Sequence, residues 1–413
     1  MPQLISSPTE NMNSAGMDLS RPLGNAEFEL LRTCCAATAA ASKRERIQEL
    51  LAAGVEWDVF LGMAEFHNVE PLVCHGLLES RELLPPERAR DLERRFAKNV
   101  QRSLRLASEL GKVLQCLQRR GVAAMPYKGP VLAQAVYGDV AMREFSDLDI
   151  LIRASEYEQA AEAVRELGYE PSSVLRPAIE RAWLRTGYER GFDGPLGRNL
   201  LELQWRLAPR FYAVEMDVDD LFRRATVVRL AEQEVRTLSA EDLLLALCVH
   251  ASKHAWMRLG WLCDIAGAVR LQRIDCGVVR ETAAQLGIAR IVGVSLWLAK
   301  QILECSIPSK LAGMVEDEHV RRLGARVSGF VAQSADYDTE SVDYFRLMLA
   351  LRERLGDRFK FAWRLLITPS VGEWEAVELP EWLFPLHRVV RVGRVCRRFA
   401  AWPRLERIHR DER

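Results

Sequence analysis

Residues 125–152 read MPYKGPVLAQAVYGDVAMREFSDLDILI, and this stretch decides which fold the rest of the chain can form. Asp147 and Asp149 lie two residues apart and run into the apolar residues 150–152, a pattern that predicts a buried strand. Residues i and i+2 of a strand point to the same face, so the two carboxylates would lie about 7 Å apart along the chain. Because like charges held so close repel each other, we expect a bound divalent cation beside them. The alternative is that the pair only marks the solvated entrance of a strand.

The first half of the same stretch predicts a phosphate-binding turn. Residues 122–127 favour a short strand, Lys128-Gly129 a tight turn, and residues 130–137 a helix that begins with proline. The N-terminus of a helix offers free backbone N–H groups and a partial positive charge, which together favour a phosphate. A strand, a turn onto a helix and a second strand with Asp-x-Asp would bring phosphates and metal ions together, as phosphoryl or nucleotidyl transfer requires.

Three polar residues beside these motifs each allow two interpretations. Lys128 binds a triphosphate oxygen as a compact point charge, or it merely occupies the turn. Arg143 clamps a phosphate, or it pairs with a neighbouring acid. Ser146, directly before the acid pair, donates to a phosphate oxygen or caps the strand.

A later hairpin supplies a candidate third acid. Residues 188–192 and 199–207 flank the turn formers of residues 193–197 and so predict two antiparallel strands. Glu202 lies between two leucines, and if those leucines face the core, Glu202 faces the opposite side. It is therefore a candidate metal ligand, although glutamates are also ordinary on half-exposed strands.

The Lys-Gly turn and the RxxSDxD motif of residues 143–149 resemble the bacterial uncharacterised nucleotidyltransferase family, a branch of the DNA polymerase β-like nucleotidyltransferase superfamily. Members of the family carry a third acid on a later strand, commonly followed two residues on by histidine. In this chain Glu202 is followed by Gln204 instead. The wider superfamily usually has Gly-Ser or Gly-Gly in the phosphate turn, whereas this chain has Lys128-Gly129.

A helical His-Trp…Leu…Trp…Asp pattern adds to the resemblance, since residues 254–264 read HAWMRLGWLCD. The resemblance raises the possibility of a substrate-side role for Lys253, His254 and Asp264. A lone helical histidine is, however, more often a packing residue. The match extends over roughly residues 30–385.

The resemblance implies a metal-dependent enzyme with an α+β fold, in which a polymerase β-like mixed sheet with helices is embedded between two all-helical regions. Asp147, Asp149 and Glu202 would be the catalytic acids and would hold two Mg²⁺ ions, with Mn²⁺ as an alternative. Residues of the turn and of the motif after it would bind the nucleotide, namely Lys128, Gly129, Arg143 and Ser146.

Composition and periodicity divide the chain into five predicted regions. They are a disordered N-terminus (1–25), an N-terminal helical region (26–120), the nucleotidyltransferase α/β core (121–238), a C-terminal helical domain (239–366) and a basic aromatic tail (367–413). The tail would pack as a solvated helix, or it would contact an anionic membrane surface or a partner.

The charge balance and the cysteines exclude several protein classes. Lys and Arg number 57, as do Asp and Glu, so no basic excess indicates a nucleic-acid binder. The nine cysteines are odd in number and lack C-x-x-C spacing, which favours reduced thiols over disulfides or zinc. We found neither a secretory signal nor an apolar run of about 20 residues, and we expect a cytoplasmic protein without a transmembrane segment.

Together these features predict transfer of a nucleoside monophosphate from an NTP to an acceptor hydroxyl, with release of pyrophosphate. The acceptor would be a small molecule, a sugar or a modified peptide. Two alternatives remain open: a catalytically inactive nucleotide-binding or scaffold protein, and a toxin-like nucleotidyltransferase that modifies RNA. The last would need a basic groove beside the acids.

Overall fold

The computed structural model describes residues 26–36, 40–197, 199–271, 274–334, 337–338, 341–369, 371–377 and 379–397. The predicted disordered segment 1–25 and the end of the predicted tail, residues 398–413, lie outside the described residues. Among the described helices, none is both long and apolar enough to cross a membrane.

A five-stranded mixed sheet lies at the centre of the fold. Its strands are Met125–Pro126 (β1), Asp147–Leu151 (β2), Glu170–Pro171 (β3), Glu189–Asp193 (β4) and Leu200–Gln204 (β5). They lie in the order β1-β2-β5-β4-β3, with β2 and β5 parallel and every other neighbouring pair antiparallel. The predicted α+β class with a mixed sheet is confirmed. Thr226–Leu230 (β6) and Gln233–Thr237 (β7) form a separate hairpin.

The alternation along β5 decides which side chains face the core. Leu201 and Leu203 are fully buried, and they pack with Phe192 of β4 in one hydrophobic cluster. Because successive strand residues point to opposite faces, Glu202 and Gln204 lie on the other face of the sheet. The leucines thus take the orientation that the sequence predicted.

Five helices precede the sheet in the part of the chain that the structure describes. They are Ala26–Cys35 (α1), Ala40–Ala52 (α2), Trp57–Phe66 (α3), Glu70–Leu78 (α4) and Pro86–Arg119 (α5). Pro86 begins α5, where its missing N–H costs nothing. The buried stripe of α5 joins two cores, since Leu92 packs with the N-terminal helices whereas Leu110 and Leu117 pack against the sheet.

Among the described residues, four helices are interleaved with the strands. They are Gly129–Tyr137 (α6), Tyr157–Glu166 (α7), Pro177–Thr186 (α8) and Val218–Arg224 (α9). The apolar face of α7, including Ala160 and Val164, is fully buried against the same core as β5.

A helical region follows the second hairpin and continues to the end of the described residues at position 397, and nine of its helices are described at both ends. They are Ala240–Lys253 (α10), Leu259–Arg270 (α11), Cys276–Leu286 (α12), Ala289–Leu303 (α13), Ser309–Glu316 (α14), Glu318–Ala332 (α15), Val342–Ala350 (α16), Leu355–Ile367 (α17) and Val371–Ala376 (α18). Ser239 caps α10, because its hydroxyl accepts a hydrogen bond from the backbone N–H of Asp242. The N-terminal and C-terminal helices share one hydrophobic cluster, in which α1 packs against α13. Helices from before and after the sheet therefore share one core, which also includes Met125 of β1 and Leu151 of β2.

Candidate active site

Three carboxylates meet on the open face of the sheet. In the parallel pair of β2 and β5, Asp149 lies opposite Glu202, and Asp147 lies two residues before Asp149 on the same face. One oxygen from each of the three side chains lies within 4.8 Å of the others. The structure thus brings together the three acids that the sequence singled out.

The electrostatics of the cluster are those of crowded negative charge. Burial and then Asp149 raise the pKa of Asp147. Burial, followed by Glu189 and Asp149, raises the pKa of Glu202 to about 9. The cation-free cluster therefore favours protonation over full ionisation.

Lys128 supplies positive charge within the cluster. Its Nζ lies 2.9 Å from Oδ1 of Asp149, and the two side chains are 13% and 1% exposed. Burial is the largest effect and opposes the charged form of the amine, but Asp149 and its acidic neighbours together raise the pKa of Lys128 well above its usual value. Lys128 is therefore a cation paired with Asp149, a partner that neither interpretation of the sequence named.

The turn after Lys128 brings the start of α6 against β2. Gly129 has a φ of +55°, and a Cβ atom there would lie 3.3 Å from the carbonyl oxygen of Asp147. Both the left-handed backbone and this close approach favour glycine. The first turn of α6, with its free N–H groups, consequently begins against the backbone of Asp147. Ser146 is exposed at the edge of the same site.

Arg143 is held by an acid from the C-terminal helices. Its Nε lies 3.1 and 3.0 Å from the two carboxylate oxygens of Asp264 on α11. The hydroxyl of Tyr137 also donates to Asp264, at 2.9 Å. Of the two interpretations of Arg143, the structure shows the one in which Arg143 pairs with an acid. Asp264 is 1% exposed, so it is buried beneath the arginine with which it pairs.

The end of α10 contributes a cluster of rings and one amine. The rings of His250, His254 and Trp261 lie with their centroids 5.1–5.3 Å apart. Burial, then Lys253 and Lys128, lower the pKa of His254 to about 3, so its imidazole is neutral at physiological pH. His254 thus packs against aromatic neighbours, in line with the packing interpretation.

Lys253 lies on the side of α10 that faces the acids. Burial lowers its pKa, and the carboxylates of Glu189 and Glu202 act in the opposite direction. Its Nζ lies 5.1 Å from the centroid of the Tyr188 ring. The amine is consequently half-buried between an aromatic ring and the acidic face of the sheet.

Sequence reasoning missed Tyr127 and Glu189 on this face of the sheet. It noted Gln204 but did not predict that its amide would form hydrogen bonds with the acids. Gln204 donates to Asp149, Glu202 and Glu189, and it accepts from Tyr127. The sequence offered one signal, because β4 and β5 form a hairpin and residues at alternate positions share a face. The register that pairs Glu189 with Gln204 was not readable from that alternation.

Comparison with known proteins gives one family. Residues 53–304 match the model of the family described as "Uncharacterised nucleotidyltransferase". No curated protein matches the chain. Among solved structures, the antibiotic-resistance factor ANT(2'')-Ia is similar, with 17% identity and a TM-score of 0.28 over 47% of this chain and 90% of that one.

Proposed function

The chain belongs to the uncharacterised nucleotidyltransferase family, and we propose that it transfers a nucleoside monophosphate from an NTP to an acceptor hydroxyl. The observation that carries the proposal is the meeting of Asp147, Asp149 and Glu202 within 4.8 Å of one another. The Lys128-Gly129 turn lies directly beside them. Family membership supports the reaction class, and this geometry supports the choice of residues.

The three acids fit a divalent cation. Carboxylate oxygens are the ligands that Mg²⁺ prefers, and Mn²⁺ accepts the same donors. Burial and then repulsion from neighbouring acids raise the pKa values of Asp147 and Glu202, and a bound cation would favour the ionised form of both. When bound, two such ions would lower the pKa of the acceptor hydroxyl and neutralise charge on the leaving pyrophosphate.

The phosphates of the nucleotide would lie between the acids and the start of α6. Lys128 would turn from Asp149 to a phosphate oxygen, and the N–H groups at the start of α6 would donate hydrogen bonds to the neighbouring phosphate. Arg143 would face the phosphates through its guanidinium nitrogens other than Nε, since Nε is held by Asp264. Asp264 and Tyr137 would therefore position Arg143 without touching the nucleotide.

The reaction balances with groups already present. The acceptor oxygen attacks the α-phosphorus, the bond from that phosphorus to the bridging oxygen of pyrophosphate breaks, and pyrophosphate leaves. The acceptor proton passes to Glu202 or to another local carboxylate. Positioning and charge neutralisation would supply most of the acceleration.

The test is a transfer assay with matched variants. The full chain is incubated with NTPs labelled at the α-phosphate, Mg²⁺ and cell extract, and mass spectrometry identifies whatever gains a nucleotide. Asp149→Asn should abolish transfer and leave the fold intact. Asp58→Asn, at a side chain that is 99% exposed on α3, is the control and should transfer normally. Full Mg²⁺-dependent activity in Asp149→Asn would refute the assignment.

One observation favours a second candidate, a nucleotide-binding scaffold without transfer. Oδ1 of Asp149 already accepts hydrogen bonds from Lys128 at 2.9 Å and from Gln204 at 2.8 Å, so this oxygen is occupied. Calorimetry with NTPs, combined with a pyrophosphate assay, separates the two functions. If the protein binds NTP but releases no pyrophosphate with any acceptor tested, it is a nucleotide-binding scaffold.

A further inference from the structure

We propose that Gln204 positions the cation-holding carboxylates, using one amide group to hold acids from three strands in a single arrangement. Its Nε2 lies 2.8 Å from Oδ1 of Asp149 on β2 and 2.9 Å from Oε2 of Glu202 on β5. The same nitrogen lies 3.2 Å from Oε2 of Glu189 on β4. The inference rests on the proposed function, because it assigns the carboxylates to a cation.

A hydrogen bond from Tyr127 sets the orientation of the Gln204 amide. The hydroxyl of Tyr127 donates to Oε1 of Gln204 at 2.6 Å, and the two side chains are 3% and 2% exposed. A flipped amide would aim its oxygen at three carboxylates and its nitrogen at a hydroxyl. Burial raises the pKa of Tyr127, so the hydroxyl keeps the proton that it donates. The NH₂ end therefore faces the acids.

A neutral donor suits this position. Three acids on neighbouring strands repel one another, and without a shared donor their side chains would turn apart. The amide attracts one oxygen of each acid and carries no net charge, so it does not compete electrostatically with a cation. Lys128 also binds Asp149, but a lysine that turns to a phosphate would release it. The hydrogen bonds of Gln204 would then hold the carboxylates of Asp149 and Glu202 close together.

Outer groups that orient metal ligands matter measurably. Their loss typically weakens metal affinity about 10- to 100-fold. We expect Gln204→Leu, which keeps a side chain of similar length class and removes the amide, to weaken Mn²⁺ binding within that range. Tyr127→Phe removes only the hydroxyl that orients the amide, and it should weaken Mn²⁺ binding by a smaller factor.

The experiment is calorimetric titration of the full chain with Mn²⁺ in the absence of nucleotide. Tyr212→Phe is the matched control, because Tyr212 is also fully buried and its hydroxyl bonds Ser252 at 2.6 Å, away from the acids. It should bind Mn²⁺ as the wild type does. Circular dichroism and melting temperature establish folding, and if Gln204→Leu fails to fold, Tyr127→Phe decides the outcome.

The outcomes separate this inference from the proposed function. Wild-type Mn²⁺ affinity in Gln204→Leu, or in Tyr127→Phe when only that variant folds, would overturn the positioning role and leave the reaction standing. Weakened Mn²⁺ binding in the variants, with no nucleotide transfer by the wild type, would support the positioning role and overturn the reaction. A wild type that binds no Mn²⁺ would overturn both.

Discussion

Replacing Glu202 with glutamine should stabilise the cation-free protein, although it removes a candidate metal ligand. Burial, then Glu189 and Asp149, raise the pKa of Glu202 from its ordinary 4.5 to about 9. At neutral pH the folded protein therefore holds a proton on this carboxyl that the unfolded chain has released. Glutamine has nearly the same shape and never ionises, so the substitution removes the free-energy cost of holding that proton.

The size of the effect follows from linkage between protonation and folding. Each pH unit above the unfolded pKa costs about 1.36 kcal/mol until the folded pKa is reached. Starting from 4.5, the cost at pH 7 is about 3 kcal/mol. Because the folded pKa is the raised one, the contribution of Glu202 to stability is fully present below pH 4.5 and is lost as pH rises through about 9. Glu202→Gln should lack this part of the pH dependence.

The assay is thermal and urea unfolding in EDTA at several pH values, followed by Trp fluorescence. Glu202→Gln should exceed the wild type by about 3 kcal/mol near pH 7 and by much less near pH 5. Added Mg²⁺ should stabilise the wild type and not the variant. Glu234→Gln, at an exposed position on β7, is the control and should change stability by at most about 0.5 kcal/mol. A variant less stable than the wild type at pH 7, or one that keeps its pH dependence, would refute the reasoning.

Three further substitutions test other parts of the site. Asp264→Asn should destabilise the protein by about 3–5 kcal/mol, measured by urea unfolding, because it leaves the buried Arg143 without its counter-charge. Gly129→Ala should lower the free energy of unfolding by about 1–2 kcal/mol and should also lower transfer. The φ of +55° disfavours a Cβ atom, and that atom would press on the carbonyl of Asp147. An unchanged melting temperature and unchanged activity would contradict this. Lys128→Met should raise the KM for NTP in the transfer assay while the cation-free protein stays folded, and an unchanged KM would exclude a phosphate contact.

The local chemistry of the site was predictable from short-range rules. Alternation along a strand predicted that Asp147 and Asp149 share a face and that Glu202 points away from the leucines beside it. Proline after Lys128-Gly129 predicted the start of a helix, and α6 begins at Gly129. These predictions needed only neighbours within a few residues, which is the range over which strand and helix geometry is set by sequence.

The partners of the polar residues were not predictable in the same way. Arg143 pairs with Asp264, 121 residues away, so the sequence left open whether it met a phosphate or an acid. Gln204 could be seen only as a departure from a family pattern, because three of its four partners lie outside its own strand: Tyr127 after β1, Asp149 on β2 and Glu189 on β4. The packing of His254 against Trp261 likewise depends on how α10 meets α11.

By itself the sequence determined the α+β class, the family and the two acidic strands, because period-two alternation and turn chemistry act between adjacent residues. Only the tertiary structure decided that β2 and β5 are parallel neighbours, which sets Asp149 opposite Glu202 and turns separate acids into one site. It also decided that an uncharged amide lies among them. Strand order and long-range hydrogen bonds are chosen by burial and by the satisfaction of buried polar groups across the whole fold, so no local pattern encodes them.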